Sequence, residues 1–155
     1  MDLRQLFDDL VRFETDLWNG IDARLRQDCA VTLGSLNVLL VVERAGSCRV
    51  NDIAAALSIT VGGASQAVDR LEKAGHCVRR PHDTDRRSSI VELTAAGRDL
   101  VNEAGPVLDR ELATWLARPL PAPELGHLAS TLAVLRAANP RTPDPGSTPL
   151  TKETR

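Results

Sequence analysis

Thr60, Ser65, Gln66 and Arg70 fall within one short stretch of the chain, and Arg86 and Arg87 stand side by side a little further on. Their chemistry is that of recognition, not of bond breaking. The Ser hydroxyl and the Gln amide both donate and accept, which is what reading the edges of base pairs requires, and the Gln amide matches adenine. Guanidinium groups pair with phosphate oxygens, and a Thr that caps a helix leaves backbone amides free for a neighbouring phosphate. Ser65 and Gln66 are therefore the candidate base readers, with Arg70 and Thr60 the candidate phosphate contacts.

Other chemistries find little support. The sequence has no Gly-rich phosphate loop, no nucleophile elbow and no paired carboxylates set for acid–base work, so neither an enzyme nor a cofactor is expected. His76, His82 and His127 lack metal-ligand spacing, and no metal site is expected. Cys29, Cys48 and Cys77 are an odd number without a CxxC pair, which argues for free thiols. Cys29 is the one redox candidate, provided that Arg24 or Arg26 stabilises its thiolate; the competing reading for each cysteine is an unreactive small residue at a sheet edge or in the core. Four aromatic residues, Phe7, Phe13, Trp18 and Trp115, are too few to build stacking platforms for single strands.

The positioning elements follow from periodicity. Leu3, Leu6, Phe7, Leu10, Phe13, Leu17, Ile21 and Leu25 recur every three or four residues, predicting a long amphipathic helix from Asp2 to about Asp28. At ~1.5 Å per residue it would run about 40 Å, more than a small domain needs to cover its own core, so part of the stripe is expected to meet another chain. A nearly all-apolar helix is expected from about Gly34 to Ala45. A short helix, Asp52–Leu57, follows with Asn51 as its N-cap, then a break at Ser58-Ile59 and a helix from the Thr60 cap to about Ala74. Alternation predicts strands Cys77–Arg80 and Ile90–Leu93 around a basic tip. Thr94 then caps a helix to about Ala117 with Leu100, Leu108, Leu112 and Leu116 inward and a kink at Pro106. A last helix, Glu124–Ala138, carries Leu125, Leu128, Leu132 and Leu135 on one face. Residues 139–155, rich in Pro and nearly devoid of apolar side chains, are expected to be a disordered tail.

The fold class expected is mainly α with a small β-hairpin wing, a winged helix-turn-helix in which the helix after the turn enters the major groove of double-stranded DNA. Its parts are residues 32–93 for DNA binding and residues 1–31 with 94–138 as a helical dimerisation region from both termini. With 155 residues, 43% apolar and 26% charged, the chain suits one compact body. The formal charge is −2, yet Cys48–Arg98 holds eight basic and six acidic residues while the rest holds eleven and fifteen, so the basic excess is local and binding should be salt-sensitive. Met1 leads directly into charged residues with no apolar run long enough for a signal peptide or membrane span, and a cytoplasmic protein is expected.

The ordered set Asp52–Leu57, Val68-Asp69-Arg70-Leu71-Glu72-Lys73-Ala74-Gly75, Asp83-Thr84-Asp85-Arg86-Arg87-Ser88 and Leu93-Thr94-Ala95-Ala96-Gly97 resembles the MarR family of bacterial regulators. The resemblance implies a homodimer whose winged domains straddle a pseudo-palindromic operator, with half-sites spaced ~34–36 Å apart. It places one of Arg86 and Arg87 in the minor groove, with Asp85 holding the loop. It also implies a repressor released by a small, often aromatic acid in a cleft between the dimer and DNA-binding parts, where Arg98 would meet the carboxylate. Trp18 and Trp115 read first as packing residues and second as lining of that cleft. Gly62-Gly63 departs from the family's small polar residues and costs roughly 1 kcal/mol each in helix propensity; close backbone approach to DNA and a loose first turn both account for it. A thiol-based redox-sensing regulator and a winged-helix protein-interaction module stay open as alternatives.

Overall fold

The computed structural model describes residues 1–81 and 89–138. Asp85, Arg86, Arg87 and the expected tail, residues 139–155, lie outside the described residues.

Helix α1 (Leu3–Cys29) starts behind Asp2, whose carboxylate accepts the Arg4 N–H at 2.9 Å, and stops at Ala30 in the left-handed region, φ 54°. Its apolar stripe is divided. Ile21 and Leu25 are buried, whereas Leu3, Leu6, Phe7, Leu10 and Val11 face solvent. Helix α2 (Leu33–Ala45) is capped by Thr32, whose Oγ1 accepts the Ser35 N–H at 3.0 Å, and it meets α1 at 80°. Leu36, Leu39 and Val42 on it are fully buried, because α1, the three helices that follow and the second strand all pack around it.

Helix α3 (Val50–Leu57) begins earlier than the sequence suggests. Its cap position is Arg49, not Asn51, and the missing side-chain cap is replaced from inside the helix: Asp52 Oδ2 accepts the Arg49 backbone N–H at 2.8 Å. Asn51 is exposed in the first turn. A left-handed Ser58, φ 55°, turns the chain, and Thr60 caps helix α4 (Val61–Lys73) by accepting the Gly63 N–H at 3.1 Å. The three-residue turn between α3 and α4 is as expected. Strands β1 (Cys77–Pro81) and β2 (Ser89–Leu93) pair antiparallel, Cys77 opposite Leu93 and Pro81 opposite Ser89. Cys48 adds a bridge to Val91 through two backbone hydrogen bonds of 3.2 and 2.8 Å, a contact between distant segments that no local pattern announces.

Thr94 caps helix α5 (Ala95–Leu112) at the Gly97 N–H, 3.0 Å away. The inward stripe differs from the leucines read from the sequence. Gly97, Val101, Ala104 and Val107 are buried, while Leu100, Leu108, Leu112 and Leu116 are only partly covered. The reason is local: a Cβ on Gly97 would run into the His76 carbonyl oxygen, so the backbones of α5 and the α4–β1 turn lie in contact and small residues line that side. The α-helical pattern ends at Leu112, and Ala113–Ala117 form a π-helical turn in which the Arg118 N–H reaches the Ala113 carbonyl at 2.9 Å. Helix α6 (Ala122–Ala138) packs chiefly on that turn, with none of its residues buried. Among the described residues no single helix is long and apolar enough to cross a membrane.

Candidate nucleic-acid interface

Helix α4 presents three adjacent stripes, each built on helical spacing. Ala64, Ala67, Val68 and Leu71 are buried against the core. Ser65, Asp69 and Glu72 form the second stripe, turned toward β1. Gln66, Arg70 and Lys73 form the third, fully on the outside. The side chains of Gln66, Arg70 and Lys73 make no hydrogen bond or ion pair among the described residues, so their donors are free for a ligand. Thr60 is exposed at the start of the same helix.

The geometry thus separates two residues that the sequence treats alike. Gln66 stands outward, whereas Ser65 is half-buried and its carbonyl accepts Arg79 Nη2 at 3.3 Å. Lys73 was not singled out from the sequence, although its position three residues after Arg70 places it on the same stripe. Arg79 was also missed, and no sequence spacing reveals it, because its partners lie on another element. Its Nη2 lies 2.6 Å from Asp69 Oδ1, its Nη1 donates to Glu72 Oε2 at 2.7 Å, and its backbone N–H donates to Glu72 Oε1 at 3.0 Å. The Arg79 backbone and side-chain donors together hold the Glu72 carboxyl below the usual carboxylate range. Arg80, by contrast, pairs across the hairpin with Glu92 at 2.8 Å. No group of His, Cys, Asp and Glu among the described residues is arranged to hold a metal ion.

Residues 31–88 match a family model described as MarR family. That segment is similar to the MarR family. The uncharacterised HTH-type transcriptional regulator YfiV of Bacillus subtilis (strain 168) is 33% identical over 64 residues, 41% of this chain and 40% of that one. The HTH-type transcriptional regulator BilQ of Clostridium symbiosum (strain WAL-14163) is 30% identical over 74 residues, 48% of this chain and 51% of that one. The chain therefore spans about half or less of the length of these two curated relatives. The fold likeness is broader: Sco3205 of Streptomyces coelicolor, a MarR family transcriptional regulator solved in complex with DNA, superposes with a TM-score of 0.84 at 20% identity, over 91% of this chain and 93% of that one.

Two other expectations can be set beside the geometry. Trp18, Arg98 and Trp115 do not form one pocket within the chain. Arg98 lies near the start of α5 and donates from Nη1 to the Leu93 carbonyl at 2.9 Å, while Trp115 is seventeen residues further on, about 25 Å at helical rise. Trp115 instead packs edge-on against Phe13, ring centroids 6.5 Å apart, and lies against Gly20. Trp18 borders an open groove of about 320 Å³ with Glu14, Thr15 and Asn19, where the one charged neighbour among the described residues is an acid and ill suited to a carboxylate ligand. Cys29 is the second. Arg26 is committed to Asp22 at 2.6 Å and Arg24 to Asp28 at 3.0 Å, so neither is left to stabilise a thiolate. Burial, with Glu103 and Asp28 nearby, pushes the Cys29 thiol up, against a smaller opposing effect of Arg110. Cys48 and Cys77 are buried, as expected, and burial pushes Cys77 up to about 11.

Proposed function

We propose that this chain is a homodimeric, sequence-specific regulator of transcription that binds double-stranded DNA in the cytoplasm. It acts by binding, not by catalysis. The observation that carries the reading is the outer stripe of α4: the side chains of Gln66, Arg70 and Lys73, one helical turn apart and without partners among the described residues, on a helix whose opposite face is locked into the core. A helix so mounted enters a major groove with Gln66 toward base edges and Arg70, Lys73 and the Thr60 end toward phosphates. Arg86 and Arg87, in the segment joining β1 to β2, are the proposed minor-groove and backbone contacts of the wing.

Residues 32–93 are the proposed DNA-binding part. Residues 1–31 and 94–138 are the proposed dimerisation part, supported by Leu3, Phe7 and Leu10 on α1 and by Leu132 and Val134 on α6, all exposed in the single chain. Two copies then present two α4 helices to one side of the duplex. Repression by promoter occlusion, relieved by a small acidic effector, completes the proposal; a hundredfold release requires about 2.7 kcal/mol of coupling.

The test is selection of genomic fragments by the purified protein, followed by titration of the recovered duplexes at fixed salt. Enrichment of a common inverted repeat supports the reading. Binding that is uniform over all fragments, or absent, overturns it.

A further inference from the structure

The Arg79 guanidinium reaches three residues of α4 that lie on successive turns: the Ser65 carbonyl, Asp69 and Glu72. We infer that Arg79 is a positioning residue for sequence discrimination, fixing the angle between the wing hairpin and the helix that reads bases, while itself contributing no contact to DNA. This inference rests on the reading of α4 as the DNA-binding helix.

Four features of the site carry it. First, spacing: Ser65, Asp69 and Glu72 are four and three residues apart, so one planar five-donor group spans two turns of α4, and rotation of α4 against β1 would break all of its contacts together. Second, the backbone is engaged as well. Arg79 faces Val91 in a two-stranded sheet, and its outward N–H, with no third strand among the described residues to receive it, is taken by Glu72 Oε1 at 3.0 Å. Third, adjacency: Ser65 directly precedes Gln66, so the Arg79 bond to the Ser65 carbonyl pins the peptide that carries the proposed base reader. Fourth, electrostatics: Asp69 and Glu72 are anions beside the outer stripe, and the guanidinium that offsets half of their charge is spent on them, its side chain only 23% exposed. A cation held in this way is poorly placed to pair with phosphate.

The prediction differs from that for a phosphate contact. Removing a phosphate contact weakens binding on all duplexes alike and lowers the salt dependence. Removing a positioner erodes preference for the operator while leaving binding to random duplex nearly intact. The Arg79→Lys variant is the probe, since it keeps one positive charge but cannot reach three acceptors with a single ammonium. Asp69→Asn is the partner probe, which takes away one anchor and leaves Arg79 in place.

Both variants of the full chain are titrated against the selected operator and against a random duplex of equal length, at two salt concentrations, after thermal melts show that they fold. The expected result is a fall of about tenfold or more in the operator-to-random affinity ratio for Arg79→Lys, and a smaller fall for Asp69→Asn, with random-duplex affinity within about threefold of the unaltered protein or above it. An unchanged ratio in folded Arg79→Lys, or an equal loss on both duplexes with a shallower salt slope, overturns the inference alone. Failure of the unaltered chain to discriminate any duplex overturns the functional reading, and the inference with it.

Discussion

The Asp22 carboxylate accepts the backbone N–H of Leu33 at 2.7 Å, joining the last third of α1 to the first residue of α2. Leu33 heads a helix, so its amide has no partner within α2, and a carboxylate at that end also meets the positive end of the helix dipole. The other Asp22 oxygen accepts Arg26 Nε at 2.6 Å. One acid thus fixes the 80° corner at which the extended part of the chain meets the part that carries α4.

Asp22 should therefore be an acid-sensitive joint. Burial opposes its ionisation, but the Arg26 bond and the Leu33 N–H prevail, and its pKa lies below the ordinary 3.8. A carboxyl depressed on folding contributes stability that is fully present above its unfolded value and is lost as pH falls through the lower folded value. Asp22→Ala should cost about 1–3 kcal/mol near neutral pH, measured by urea unfolding. In the acid range below about pH 4, the gap between the variant and the unaltered protein should shrink. A constant gap would show that the carboxylate charge plays no part.

Much of the helical frame is legible in the residues because helices carry local signals: Thr60 and Thr94 cap where a Thr precedes an apolar periodic run, and Thr32, not singled out from the sequence, does the same for α2. Asn51 misled for a physical reason. Its side chain is a good cap, but Asp52 reaches back to Arg49 from one turn inside and starts the helix earlier. The leucines of α5 mislead because size is a poor guide to burial there: the tight approach of Gly97 to His76 admits Val101, Ala104 and Val107 instead. The outer stripe of α4 was half legible, through Gln66 and Arg70. Arg79 was not legible at all, since its role depends on a strand folding back across a helix, and local periodicity says nothing of that.

The Gly97 contact yields a second prediction. A methyl group there has nowhere to go, as the obstacle is the backbone carbonyl of His76, which also accepts the Thr94 N–H at 3.1 Å. Gly97→Ala should destabilise by about 3 kcal/mol, at the upper end of overpacking effects, read as a lower urea midpoint with unchanged slope. A loss below about 1 kcal/mol would mean that α5 shifts freely against the α4–β1 turn.

The exposed apolar residues of α1 and α6 make a third prediction. Phe7 is 67% exposed and Leu132 is 44% exposed, so neither supports the fold of the single chain strongly. Phe7→Glu combined with Leu132→Glu should leave helix content unchanged while sedimentation shifts from twice 16.8 kDa to the single-chain mass. DNA affinity should fall with it, because two half-sites no longer bind as one unit. Retention of the doubled mass would place the interface elsewhere.

The thiols give a fourth. Cys77 is buried, with its Sγ 3.7 Å from the Val68 carbonyl and its pKa about 11, and Cys48 is buried at its bridge to Val91. At about pH 8 a thiol reagent should modify Cys29 first and slowly, and Cys48 and Cys77 only as the chain unfolds. Cys29→Ser should leave DNA binding unaltered before and after mild peroxide. A large peroxide effect abolished by Cys29→Ser would restore the redox reading.

Gly62 offers the sharpest separation of stability from binding. It takes helical backbone in the first turn of α4, is exposed, and a Cβ added there meets nothing within 4 Å. Gly62→Ala should therefore stabilise the free protein by about 0.4–1 kcal/mol, through propensity and a less flexible unfolded chain. Gly62 also lies one turn ahead of Gln66 on the stripe proposed to face DNA, where a methyl would stand between helix backbone and duplex. The variant should thus melt higher yet bind the selected operator more weakly. Gly63→Ala serves as the comparison: its Cβ would face Thr60 Oγ1 at 3.2 Å, inside the protein, so its effect should fall on the cap and on stability first. If Gly62→Ala raised the melting temperature and left the Kd for operator unchanged, the glycine would be no more than a weak helix residue, and close approach of the α4 backbone to DNA would have to be given up.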